Sequence, residues 1–178
     1  TSFIGESIRL AFTQNTLNRK QFASSGSFFE LKASYVHGKE LTYPGSTSIT
    51  NDTSSKKHQW LSIQLELLSF PFQKKQMVNF GLHFKSVLNS QSLFANYTAS
   101  MLALPGLNVL PDLDTYFIAA YRSTQYACFG TQLILSTLKN IDFRLDTYAF
   151  LPIIQLVLNP DGSFTYAKPL DGRSILAA

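Results

Sequence analysis

Asp142, Arg144 and Asp146 alternate along the chain with Ile141, Phe143 and Leu145. In a strand, that spacing puts three charges on one face and three apolar side chains on the other. Such a row can pair ions and bind water. The three histidines offer less: His37 and His58 flank a polar loop, His83 sits on a polar strand face, and none lies at metal-ligand spacing from another ligand. No Gly-x-Ser-x-Gly occurs to raise a serine on a nucleophile elbow. The two Asp-Gly pairs, Asp161-Gly162 and Asp171-Gly172, read as turns. Cys128 is the only cysteine, so an internal disulfide or cysteine-cluster metal site is excluded, and it reads as a small apolar strand residue. A Ser-His-Asp triad assembled across strands is left open. The sequence calls for no cofactor.

The elements that would position these residues are strands. Leu61, Ile63, Leu65 and Leu67 alternate with Ser62, Gln64 and Glu66, and Val78, Phe80, Leu82 and Phe84 alternate with Asn79, Gly81, His83 and Lys85. This period of two, repeated between turn residues, is the signature of an all-β, antiparallel transmembrane barrel with an apolar outside and a wet lumen. Composition agrees. Aromatic residues make up 13% and charged residues only 15%, against about 25% charged in an average soluble domain. Polarity comes instead from Ser, Thr, Asn and Gln. The net charge of +4 is modest, and the pairs Arg19-Lys20, Lys56-Lys57 and Lys74-Lys75 lack the clustering a nucleic-acid surface needs. No apolar run of about 18 residues marks a transmembrane helix. The competing architecture is a complete soluble β-barrel or β-sandwich, with Leu61, Ile63, Leu65, Phe80 and Phe84 turned inward around a hydrophobic ligand.

About nine strands are expected in one domain spanning 1–178. They run from Ser7 to Leu17, Gly26 to His37, His58 to Phe70, Met77 to Val87, Ser92 to Ala103, Asp114 to Arg122, Phe129 to Leu138 and Ile141 to Leu151, with a short last one near Ser174. The connections Gly38 to Lys57 and Pro152 to Arg173 are the longest and fall on one side of a strict zigzag. Those at Lys74-Lys75 and Lys139-Asn140 fall on the other, as in barrels with long outer loops and short periplasmic turns. Tyr35, Trp60, Phe70, Phe72, Tyr116, Tyr148 and Phe150 could form interface girdles. The absence of a signal peptide is expected of a mature form or a fragment, and an odd strand count with an Ile175-Leu176-Ala177-Ala178 end suggests a portion of a larger barrel.

The segments Ala11-Phe12-Thr13-Gln14-Asn15-Thr16-Leu17-Asn18-Arg19-Lys20-Gln21-Phe22, Gly26 to Val36, Tyr43-Pro44-Gly45-Ser46, Phe94 to Ala99 and Asp142 to Pro152 resemble the barrel of Bacteroidota patatin-like phospholipases. That family belongs to the surface-antigen and outer-membrane assembly-factor barrel superfamily. The resemblance implies a sixteen-stranded barrel in the bacterial cell outer membrane, of which these strands would be about the sixth to the fourteenth. It implies a membrane anchor or translocation pore, non-catalytic in itself, with serine ester hydrolysis in an N-terminal patatin domain. Outer-membrane lipid and those N-terminal domains would be its partners. In the superfamily, a loop inserted into the lumen carries an arginine that pairs with lumenal carboxylates. Tyr121-Arg122-Ser123-Thr124 occupies the corresponding place, so Arg122 would pair with Asp142 and Asp146 beside Arg144. The other reading of Arg122 is a solvated arginine at a strand end.

Overall fold

The computed structural model describes residues 2–43, 53–74, 77–108, 117–138, 141–169 and 176–177. The chain is all-β. Seven strands follow one another as an antiparallel meander: β1 Ser2–Asn15, β2 Ser27–Thr42, β3 Ser54–Lys74, β4 Val78–Asn89, β5 Gln125–Leu138, β6 Ile141–Leu158 and β7 Phe164–Ala167. A two-residue strand, β8 (Leu176–Ala177), pairs with β6 at Phe150 and Ala149. Among the described residues no pairing joins β1 to the far end of the sheet, so β1 is an edge strand.

Register makes the two faces coherent, because same-parity residues stay aligned from strand to strand. One row reads Thr13, Glu30, Glu66, Lys85, Cys128 and Phe150. A neighbouring row of the opposite parity reads Phe12, Leu31, Leu65, Ser86, Ala127 and Leu151. Both prolines within strands fall at irregularities: Pro71 in the β3 register shift between Ser69 and Phe72, and Pro152 beside the shift at Gln125 and Tyr126. Having no N–H to give, proline is tolerated there and not in a regular central ladder.

The fifth expected strand, Ser92 to Ala103, does not form. Helix α1 spans Tyr97–Ala103, and Asn96 caps it, its side chain accepting the amides of Thr98 and Ala99. The Asn-x-Thr there is thus an N-cap. The sixth, Asp114 to Arg122, fails where it can be seen: 114–116 lie outside the described residues, and Ala119–Tyr121 is a 3-10 turn. The last expected strand, near Ser174, has its counterpart in the two-residue β8, although Ser174 itself lies outside the described residues. Before it, β7 follows β6 through a tight turn in which the Asn159 amide donates to Ser163 O, and Gly162 takes a φ of +82°. The Ser163 amide and hydroxyl both donate to Asp161, holding its carboxyl below the ordinary range. The β2–β3 loop is shorter than expected, because strand pairing continues to Thr42 and Ser54.

The described parts of the connection from Ser90 to Thr124 lie across one face of the sheet. Its Leu107 is buried with Val87, Tyr126, Cys128 and Phe150, and Met101 and Leu104 pack with Leu156, near Phe164 and Tyr166. From the opposite strand ends, the β1–β2 connection covers the same face, with Ala23 buried against Phe70 and Ile134. At two glycines near the strand centres an aromatic ring lies directly against the sheet. A Cβ at Gly130 would stand 2.6 Å from the Tyr148 ring, and one at Gly81 would stand 2.7 Å from the Phe70 ring. Gly130→Val should therefore lower unfolding free energy by about 1–3 kcal/mol, read as a lower urea midpoint at unchanged slope. An unchanged midpoint would show that the ring has room to move.

Candidate functional site

The covered face is the polar one. Glu66 Oε2 lies 3.0 Å from Lys85 Nζ, and its Oε1 lies 3.2 Å from His83 Nε2. In the register Glu66 also stands beside Glu30, whose charge Lys32 Nζ answers at 2.6 Å. Two carboxylates side by side on adjacent strands would repel. Each is instead held by its own cation.

Across the sheet, Arg144 Nε donates to both oxygens of Asp146, at 2.9 and 2.7 Å. Its Nη1 reaches the Ala23 carbonyl at 2.9 Å, and the guanidinium lies over the Phe22 ring. Phe22 holds a φ of +51°, a left-handed conformation that a residue with a side chain adopts only at some cost. Arg144 thereby ties the β1–β2 connection to the sheet. Between that connection and the strands is a cleft of about 350 Å³ whose walls include Lys20, Glu66, His83, Lys85, Asn108 and Gln132.

The four residues expected to pair are only partly together. Arg144 and Asp146 are in contact. Asp142 accepts from Ser136 Oγ at 2.7 Å and lies 3.5 Å from Arg19. Arg122 takes other partners: its Nη1 donates to the carbonyls of Leu104 and Leu102, at 2.7 and 3.2 Å, and its guanidinium lies over Phe117. The register explains this. Gln125, just after Arg122, pairs with Ile154, whereas Asp142 pairs with Ser136 at the other end of the same two strands. Arg122 fastens the Ser90–Thr124 connection to itself, and Tyr126 OH donates to Gly106 O beside it.

A second polar cluster lies at the Ser90 end of that connection. His58 Nε2 is 2.8 Å from Glu40 Oε2, and its Nδ1 is 2.8 Å from Ser92 Oγ. The side chains of His58 and Glu40 are 0% and 1% exposed, whereas Ser92 is exposed. The Ala95 amide donates to both Glu40 oxygens, Lys56 Nζ donates to the Leu93 carbonyl, and Phe94 stacks on the His58 ring at 4.6 Å. Sequence reasoning placed Glu40 in a loop and Ser92 in a strand. Only the fold brings them to His58, so spacing held no signal for this group.

Compared with protein-family models, curated proteins and solved structures, the chain matches none.

Replacing Arg144 with methionine removes the bond to Ala23 and leaves Asp146 without its cation. Stability should fall by about 1–3 kcal/mol, and trypsin should cut faster at the exposed Arg19 and Lys20. Unchanged cleavage kinetics would mean that packing of Ala23 alone holds the connection down.

Proposed function

We propose that this chain is the membrane-spanning wall of a larger outer-membrane barrel of the patatin-like phospholipase type. In this reading it anchors the protein in the bilayer or forms a translocation pore, with its covered face as the lumen. The observation that carries the proposal is inverted polarity. Ile8, Leu10, Phe143 and Leu145 are 69%, 72%, 61% and 61% exposed, while Glu40, His58 and His83 are buried. Soluble proteins rarely leave a contiguous apolar face of this kind uncovered.

Hydrocarbon explains it. The open face carries Leu31, Leu61, Ile63, Leu82, Phe129 and Leu135 on adjacent strands, an apolar band bordered toward the strand ends by polar residues such as Glu6, His37 and Gln59. Where Thr131 and Thr147 meet on that face, their hydroxyls bond each other at 2.8 Å, which satisfies them without water. The edge at β1 fits a wall whose neighbouring strands lie elsewhere in the parent protein, since lipid does not tolerate an unpaired edge. The family assignment rests on the sequence segments that resemble patatin-like barrels. A soluble ligand-binding domain would need Leu61, Ile63, Leu65, Phe80 and Phe84 around an interior, and they lie on the uncovered face.

In fractionated source cells the protein should appear in the outer membrane as a heat-modifiable band above this chain's 19.9 kDa. Arginine at Ile63 or Leu82 should cost about 2–4 kcal/mol if the site is near the bilayer midplane. Arginine at Thr13, on the opposite parity and across from Glu30, should be mild. A soluble band unmoved by boiling, or equal tolerance of arginine on both faces, would sink the proposal.

A further inference from the structure

We propose that Ser92, His58 and Glu40 form a serine ester hydrolase site at the strand ends where the Ser90–Thr124 connection begins. The diagnostic arrangement for an activated nucleophile is a hydroxyl bonded to a base that a third group orients. Both links are present at 2.8 Å. Burial separates the roles: the base and its orienting carboxylate are enclosed, and the hydroxyl-bearing residue is exposed.

Proton positions follow from the partners. As a carboxylate Glu40 only accepts, and it already receives the Ala95 amide. His58 Nε2 therefore carries a hydrogen, and in the neutral ring that leaves a lone pair on Nδ1 facing Ser92 Oγ. The ring cannot readily turn away, since Phe94 is stacked on one side and the Phe3 ring stands edge-on 6.3 Å away. Serine is thus held against a base of fixed tautomer, as acyl transfer requires.

The reaction is hydrolysis of a carboxylic ester. Ser92 Oγ bonds to the carbonyl carbon as its proton passes to His58 Nδ1. The ester C–O bond breaks, and the leaving alkoxide takes that proton away as an alcohol. Water then attacks the acyl-serine, giving a proton to Nδ1 that returns to Ser92 Oγ as the acid departs. Glu40 stabilises the imidazolium formed in each half. Lys56, fixed on the carbonyl of the residue after Ser92, supplies positive charge for the oxyanion. The surrounding Phe3, Trp60 and Phe94 rings contact one another and favour an apolar acyl group over a charged one.

The test uses the whole native protein in detergent, a fluorophosphonate probe and 4-nitrophenyl butyrate. The probe should attach to the peptide containing Ser92, which separates this site from any serine hydrolase elsewhere in the parent protein. Ser92→Ala should abolish that adduct. His58→Gln should slow its formation at least about a hundredfold, the scale of general-base catalysis, and Lys56→Met should lower kcat for the ester more than it changes KM. The circular-dichroism spectrum of each variant against wild type reports folding, and Ser92→Ala, an exposed change, keeps the test open if the His58 variant fails to fold. A folded wild-type protein with no adduct on Ser92, or with an adduct formed equally fast in folded His58→Gln, would overturn the proposal and leave the three residues as a clasp for the connection. Neither result depends on whether the apolar face meets lipid.

Discussion

Backbone pairing in a sheet forces neighbouring side chains to opposite faces, and in this chain that geometry segregates charge from hydrocarbon. Once the ladder from β1 to β6 is in register, Glu30, Glu66, Lys85, Arg144 and Asp146 share one side, and Leu10, Leu65, Phe129 and Leu145 share the other. A slip of one residue in any strand would reverse its contribution and leave a charge among leucines. Register is therefore the quantity the sequence protects most strongly, and prolines enter the strands only where register already shifts.

The covered face shows what a polar wall needs to stay ordered. Its charges are matched locally, as Glu66 is by His83 and Lys85 and Asp146 is by Arg144. Two connections lie on it from opposite strand ends and use side chain to backbone bonds as fasteners: Arg144 to Ala23, Lys56 to Leu93 and Glu40 to Ala95. Apolar contact adds to these where Leu107 and Ala23 meet the sheet. Aromatic rings lie directly against Gly81 and Gly130, positions where any larger side chain would hold them off.

Strong alternation was readable. β1, β2, β3, β4, β5 and β6 all contain stretches whose period of two is unambiguous in the sequence, although their ends ran further than expected because pairing continued into polar residues such as Gly38 to Thr42. Ser92 to Ala103 misled, since Ala95, Tyr97 and Ala99 alternate with Asn96, Thr98 and Ser100 as in a strand. In the structure Asn96 instead caps a helix from Tyr97, accepting the amides of Thr98 and Ala99. For the charged residues, parity put Arg144 and Asp146 on one face correctly. The position of Arg122 depended on which end of β5 it occupied, and that follows from the strand count. Glu40, His58 and Ser92 meet through tertiary structure alone, so no local pattern could announce them.

The central claim is that the uncovered face lies in hydrocarbon, and alternate positions along β4 test it most directly. Spin labels would be placed one at a time at Leu82, His83, Phe84 and Lys85 of the native protein in bilayers. Their collision rates with oxygen, which partitions into lipid, and with a water-soluble nickel chelate would then be compared. The account predicts that Leu82 and Phe84 favour oxygen while His83 and Lys85 do not, alternating with period two. Labels at Leu82 and Phe84 that meet the nickel chelate freely, or that are shielded from both agents, would contradict it, because the face would then lie in water or against protein.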